Sequence, residues 1–328
     1  MSVLVTGGAG YIGSHTVREL IKRNYDVIIL DSLETGHKEA VTGGKLYIGD
    51  IRDGVSVEKV FKENKIEAVI HFAAYSLVGE SVKSPSKYYE NNINSTRILL
   101  DTMVKYGCDK IVFSSSAAIF GEPENVPILE NDKKEPTNPY GETKLAMENM
   151  LKWYDKAYNI KYVALRYFNA AGADISGEIG EDHSPETHLI PIILDVAAGN
   201  REKIQIFGDD YPTKDGTCIR DYIHVTDLAN AHILAIEKLK EGMNSASYNL
   251  GNGKGYSVKE VVDTVEKVTG KKLNKQLAPR REGDPAVLIA SSGKACKELG
   301  WKPQYNDLYT IIETAWKFKQ IHISGYRK

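Results

Sequence analysis

Val3-Leu4-Val5-Thr6-Gly7-Gly8-Ala9-Gly10-Tyr11-Ile12-Gly13-Ser14-His15-Thr16-Val17-Arg18-Glu19-Leu20-Ile21 decides the fold. Val3 to Thr6 is a short apolar run that reads as a buried strand. Ile12, Val17, Leu20 and Ile21 recur with helical spacing. The glycines between them let the backbone turn tightly and come close to a pyrophosphate. The helix N-terminus behind them offers free N–H groups and a partial positive charge. Gly7-x-x-Gly10-x-x-Gly13 is weak as a bare string, but the strand before it and the helix after it are the context it requires. The stretch therefore reads as a dinucleotide cradle in preference to a ligand-free glycine turn.

Asp26 to Asp31 reads as the second strand and ends in an acid. Asp31 follows Gly13 by eighteen residues, where this fold sets a carboxylate on the adenosine ribose hydroxyls. A carboxylate there repels a 2′-phosphate, so NAD is expected over NADP. Lys45 to Asp53 reads as a third strand and turn, with Asp50 placed to reach an adenine amino group. Ala68 to Ala74 is apolar almost throughout and is expected to be covered on both faces. His71 within it is expected to be a core histidine, not a base or a ligand. Ser86 to Tyr106 reads as one long helix, and Asp109 to Ser116 as a strand ending in Ser114-Ser115-Ser116.

Pro139 opens a helix running to about Tyr158, with Tyr140 and Lys144 four residues apart on one face. A free tyrosine titrates near pH 10, and moving it to about 7 takes roughly 4 kcal/mol of preference for the phenolate. One positive charge about 4 Å away, at an effective dielectric of about 20, supplies that order of energy. Lys144 is the expected source, with the oxidised nicotinamide ring as a second. The bland reading, an exposed helical pair, gives way because a nucleotide loop and a serine-rich strand end precede it.

The 328 residues suggest two domains, 1–172 binding NAD, with later segments returning to it, and 173–328 binding substrate. The 42% hydrophobic content is enough for a core, and a net charge of −2 gives no field for nucleic acid. No apolar run approaches the roughly 20 residues that span a bilayer, so no membrane partner is expected. The first strand starts at residue 3, which leaves no room for a signal peptide, and a cytoplasmic protein is expected. Cys108, Cys218 and Cys296 are too far apart in sequence to suggest a disulfide framework or a zinc site. Glu181, Asp182, His183, Glu186 and His188 fall in a Gly- and acid-rich loop, Gly172 to Thr187 and just beyond. Their spacing fits no helical ligand pair, so no metal is expected there. Val225 to Leu239 reads as a helix, Ser257 and Glu260 as a capping box, and the remainder as helices packed around Trp301 and Trp316.

Thr6 to Gly13, Ser114-Ser115-Ser116 and Tyr140-x-x-x-Lys144 together resemble the extended short-chain dehydrogenase/reductase superfamily. Tyr11 to His15, Arg166-Tyr167-Phe168-Asn169, Gly208 to Thr213 with Asp215-Gly216-Thr217, and Arg220 to Val225 resemble its nucleotide-sugar 4-epimerases, from Val3 past Trp301. The resemblance implies a Rossmann-type doubly wound parallel sheet with a smaller mixed α/β C-terminal substrate domain. It implies that Tyr140 is the catalytic base, that Lys144 tunes it, and that Ser116 assists. Tightly bound NAD is implied to touch Tyr11, Ile12, Asp31, Asp50, Ile51 and Phe72. Ala73, Asn91, Ser114, Tyr140, Lys144 and Phe168 complete that implied set with Gly7, Gly10 and Gly13.

For the substrate, the resemblance implies Asn169, Arg220 and Arg281 on a UDP-sugar diphosphate and Asp284 on the uridine ribose. Ser116, Tyr140, His188, Leu189, Phe207 and Val287 are implied around the sugar and base. The implied reaction is reversible inversion at C4 of UDP-glucose and UDP-galactose through a transient 4-keto sugar, as in galactose metabolism. Val287, small where some relatives carry a bulky residue, extends this to UDP-N-acetylglucosamine. A homodimer is implied, with Ser86–Tyr106 and Tyr140–Tyr158 forming a four-helix interface. Three alternatives stand beside this reading. A nucleotide-sugar 4,6-dehydratase needs an acid pair after the catalytic strand, where Ala117 and Ala118 stand. A simple alcohol dehydrogenase would leave Arg220 and Arg281 without a ligand, and a non-catalytic NAD sensor has no use for Tyr140, Lys144 and Ser116 together.

Overall fold

The short apolar run becomes strand β1 (Ser2–Thr6), and the glycine turn after it enters helix α1 (Tyr11–Lys22). The computed structural model describes residues 1–281 and 284–326. It continues through β2 (Asp26–Asp31), β3 (Lys45–Ile48), α2 (Gly54–Glu63) and β4 (Ala68–His71). Next come α3 (Val78–Lys83), α4 (Pro85–Tyr88), α5 (Ser95–Tyr106), β5 (Lys110–Ser114), α6 (Pro139–Tyr158) and β6 (Lys161–Arg166). The chain then makes β7 (Asn169–Ala171), α7 (Leu189–Ala198), β8 (Ile204–Phe207), β9 (Ile219–Arg220), β10 (Tyr222–His224) and α8 (Val225–Lys240). It ends in β11 (Ala246–Asn249), β12 (Tyr256–Ser257), α9 (Val258–Thr269), β13 (Lys275–Ala278), β14 (Val287–Leu288), α10 (Gly293–Glu298) and α11 (Leu308–Ile321).

Seven strands form one sheet in the order β11-β6-β5-β4-β1-β2-β3, with every pairing parallel. The order reverses at β1, whose Val5 sits between Ile29 of β2 and Ile70 of β4. Ligands bind in the crevice that such a reversal opens at the carboxyl ends of the strands. Alternate residues of each strand serve opposite faces. Val3, Val5, Ile29 and Ile70 face Val17 and Leu20 of α1 and Leu228 and Ile233 of α8. Leu4, Ile28, Val69 and Phe113 face Leu99, Leu100 and Met103 of α5 and Met147 and Leu151 of α6. Each such fully buried aliphatic side chain stabilises by about 1.5–3 kcal/mol, so this double-sided cover is what fixes the sheet. A smaller core joins Ile190 and Ile193 of α7, Val261 and Val265 of α9, and Ile311 and Ile312 of α11. The capping box of α9 is present, Ser257 and Glu260 bonding each other's backbone N–H.

Two expectations change. The stretch from Ser86 to Tyr106 is not one regular helix: a π-helical turn, Tyr89–Asn94, separates α4 from α5. Local polar side chains compete with the helical ladder there. Ser95 and Thr96 donate to the carbonyls of Asn91 and Asn92. Asn92 is itself drawn to the Tyr75 backbone and to Thr143 of α6. Trp301 is not at the centre of the C-terminal helices. It is fully buried in the core beside α1 and α8, its indole donating to the Asp227 carbonyl at 2.9 Å.

Candidate active site

The glycine turn has the shape of a phosphate cradle. A Cβ on Gly13 would stand 2.1 Å from the Gly7 carbonyl oxygen, so α1 can start this close to β1 only through glycine. The first helical hydrogen bond runs from the Ser14 N–H to the Gly10 carbonyl. The amides of Tyr11, Ile12 and Gly13 are therefore left without an intrahelical acceptor. Asp31 ends β2 facing this turn, one oxygen accepting from the Ala9 N–H at 2.9 Å and the other from the Leu33 N–H at 2.8 Å. Burial raises its pKa and these two N–H groups oppose the rise. Each carboxylate oxygen keeps a free lone pair, the acceptor a ribose diol needs. These features fit NAD. Phe72 and Ala73 follow β4, and both amides donate to the Thr6 carbonyl, which brings them against Gly7.

Other residues of the expected cofactor set are engaged within the chain. Asp50 is gripped by the Arg52 guanidinium, with three contacts of 2.6–2.9 Å, which holds its carboxyl below the usual range. The Tyr11 hydroxyl donates to the Gly172 carbonyl at 2.6 Å and ties the cradle to the loop that opens the second half. Ile51 is buried in the sheet core, and Asn91 is buried in the π-helical turn. His71 is a core histidine, held between Thr6 and Thr96 at 2.7 and 3.0 Å and pushed by burial to a pKa of about 3.

The start of α6 is placed by three local devices. Asn138 caps it, accepting from the Gly141 N–H at 2.9 Å, and Pro139 occupies the first turn. Gly141 lets the helix approach the Ala118 carbonyl to a distance at which a Cβ would stand 2.6 Å away. Tyr140 is thereby brought beside Ser116, whose hydroxyl favours the phenolate and whose oxygen accepts from the Ala118 N–H at 3.1 Å. One turn on, the Lys144 ammonium donates to the Ser114 carbonyl at 2.8 Å and lies 5.9 Å from the Tyr140 ring centre. Ser114 in turn bonds the Tyr167 hydroxyl at 2.5 Å, and Phe168 packs with Ala117 and Leu145.

The electrostatics depart from the expectation of a tyrosine lowered by its lysine. Burial raises the pKa of the Tyr140 phenol, with the nearby Ser116 hydroxyl opposing. Burial also lowers the Lys144 ammonium to about 7, with Glu148 opposing. Desolvation disfavours both charged forms, so the protein alone keeps the phenol protonated. Glu148 was not among the expected site residues. It lies four residues beyond Lys144 on the same buried face of α6 and accepts from Ser115 at 2.6 Å and from the Arg166 fork at 2.7 and 2.9 Å. The Tyr140, Lys144, Glu148 spacing, a polar residue each turn on a face otherwise apolar, is the signal that points to it.

The expected substrate residues fall into two groups. Arg220 lies in β9, between β12 and β14, and pairs with Asp284. Val287 begins β14 opposite Ile219, and Arg281 stacks on the Phe207 ring with its guanidinium carbon 4.1 Å from the centroid. Asn169 in β7 donates to the Asp221 carbonyl at 3.0 Å, next to Arg220. His188 and Leu189 lie at the entry to α7. Here the loop gathers four of its polar residues: Glu181, His183, Glu186 and His188 offer donor atoms that all lie within 4.8 Å of one another.

The sequence model of the NAD dependent epimerase/dehydratase family matches residues 3–251. The UDP-glucose 4-epimerase of Halalkalibacterium halodurans is 59% identical over 326 residues, 99% of this chain and 98% of that protein. A crystal structure of a UDP-glucose 4-epimerase superposes with a TM-score of 0.99 at 54% identity, covering 100% of both chains. A second, from Bifidobacterium longum in complex with NAD+ and UDP, gives 0.93 at 41% identity over 99% of this chain and 100% of that one.

Proposed function

Since the chain belongs to the NAD dependent epimerase/dehydratase family, we propose that it interconverts UDP-glucose and UDP-galactose by inverting C4 of the hexose. The observation that carries this is the convergence of Ser116, Tyr140 and Lys144 on the carboxyl edge of the same sheet that bears the glycine turn. Tyr140 takes the proton from the sugar O4 and later returns it to the same oxygen. The Ser116 hydroxyl beside it favours the phenolate, and so does a proton on buried Lys144 whenever Tyr140 gives up its own. The Gly7–Gly13 turn and Asp31 would hold NAD, which would supply the acceptor and then the donor of the C4 hydride. No net oxidation follows.

Arg220 and Arg281 hold the diphosphate, since a guanidinium fork matches phosphate oxygens. Arg220 is pre-set by Asp284, so it is ordered before a ligand arrives. Anchoring through these remote contacts lets the flattened sugar turn its other face to the same base. The small side chain of Val287 beside this anchor supports acceptance of UDP-N-acetylglucosamine as well. We place the reaction in the cytoplasm; no helix among the described residues is long and apolar enough to cross a membrane. The active form is a homodimer, which exposed Val104 on α5 and Trp153 and Tyr158 on α6 support as an apolar strip for a second copy.

Protein purified without added cofactor should convert UDP-galactose to UDP-glucose, measured by coupled oxidation of the product. Protein that holds no dinucleotide even when it is supplied, or holds it and leaves both sugars unchanged, overturns the reading.

A further inference from the structure

We propose that Glu181, His183, Glu186 and His188 bind one divalent transition-metal ion, zinc(II) by their donor set, in the loop between β7 and α7. The four side chains each offer one donor atom, and all four atoms lie within 4.8 Å of one another. The His188 Nδ1 lies 2.9 Å from oxygens of both Glu181 and Glu186. The His183 Nδ1 lies 3.3 and 3.6 Å from the same two carboxylates. Tetrahedral zinc with bonds of about 2.0–2.2 Å sets its ligand atoms roughly 3.3–3.5 Å apart, and the observed spread brackets that edge.

The His188 Nδ1 hydrogen-bonds a Glu186 oxygen at 2.9 Å, but a cluster held by protons alone leaves His183 unpaired. The His183 Nδ1 is buried and makes no hydrogen bond, although two carboxylates flank it. A protonated imidazole in that place would aim its N–H at one of them. A nitrogen 3.3 and 3.6 Å from the two, yet bonded to neither, leaves its lone pair for a shared ion. Two carboxylates balance a dication, and two imidazoles supply the borderline nitrogen donors that select zinc over calcium or magnesium, which prefer six or more oxygens. Glu186 is fixed for the task, one of its oxygens also accepting from the Thr187 and His188 N–H groups at 2.7 and 2.8 Å.

The site is partly covered by its neighbours, the His188 side chain staying 41% exposed. The Tyr11 ring meets His183 edge-on at 6.3 Å, and a cavity of about 70 Å³ lined by Glu181, His183, Glu186 and Phe318 lies alongside. From Gly172 to His188 the chain makes no helix or strand, so an ion there supplies the cross-links that a ladder would otherwise give. The ion is structural: it pins the loop against the glycine turn and fixes the entry to α7. This inference does not depend on the proposed reaction.

The test uses the untagged full-length chain, stripped with a chelator and titrated with cobalt(II), whose visible bands report coordination number. One equivalent should bind with the intense absorption of a tetrahedral site and be displaced by zinc(II). His183→Asn and Glu186→Gln should each weaken cobalt binding by at least ~10-fold. Zinc(II) should raise the melting temperature of the parent protein and leave that of His183→Asn unmoved. Stripped protein with native circular dichroism that binds no cobalt, or that gives only weak six-coordinate bands, overturns the assignment. So does binding that both substitutions leave intact. If one variant fails to fold, the other, judged by its circular dichroism, decides.

Discussion

The Lys144 ammonium lies 5.9 Å from the centre of the Tyr140 ring and spends its hydrogen bond on the Ser114 carbonyl. It therefore acts on the phenol through space, with no direct bond to it in this state. Tyr140→Phe removes only the oxygen that carries the proton. Turnover should fall about 10²–10⁴-fold, the range of a lost general base, while dinucleotide retention and melting temperature stay at parent values. Retained turnover would place the base elsewhere.

Lys144→Met tests the burial of that ammonium. Its folded pKa, about 7, lies below the unfolded value of 10.5. Between those values the unfolded chain binds a proton that the folded chain does not, so this group makes stability rise with pH across that window, and its full penalty applies below pH 7. The variant should be inactive yet more stable than the parent at neutral pH, by about 2–4 kcal/mol. The advantage should shrink as pH climbs towards 10, which urea titrations at several pH values will show.

Arg166→Met should destabilise by about 3–5 kcal/mol, because it strands the Glu148 carboxylate in a site with no exposure. Replacing Glu148 with Leu in the same chain should recover most of the loss. A double-mutant cycle with no coupling would mean that the pair does not act as one unit.

Gly10 and Gly13 should separate. A Cβ at Gly13 collides with backbone, whereas at Gly10 the nearest atom is the Gly7 carbonyl oxygen at 3.3 Å. Gly13→Ala should lower stability by more than about 2 kcal/mol, and Gly10→Ala should stay within about 1 kcal/mol of the parent by chemical denaturation.

Arg220→Ala should raise KM for UDP-galactose by at least ~10-fold and leave kcat less affected, the pattern of lost uniform binding. An equal fall in kcat would mean that Arg220 acts on the reacting carbon.

The large sheet and its glycine turn were legible because their signals are local. A glycine turn between a strand and a helix, an acid closing the next strand eighteen residues on and a tyrosine one turn before a lysine are all short-range patterns. What was hidden needed distance. The neutral bias of Tyr140 and Lys144 comes from burial by side chains drawn from the whole sheet. The break in the Ser86–Tyr106 stretch depends on Asn92 reaching Tyr75 and Thr143. Spacing along a loop argues against a helical ligand pair at Glu181 to His188, yet says nothing about where the loop folds back on itself.

The seventh strand of the large sheet is supplied by Ala246–Asn249, and α8 from the same late segment covers α1. A ribosome feeding this chain out residue by residue would leave β6 with a bare edge until Asn249 emerged. Val17 and Leu20 of α1 would stay exposed to water until α8 had followed. The two halves mature together, and a fragment stopped before residue 246 should be a client for chaperones and not a free-standing nucleotide binder.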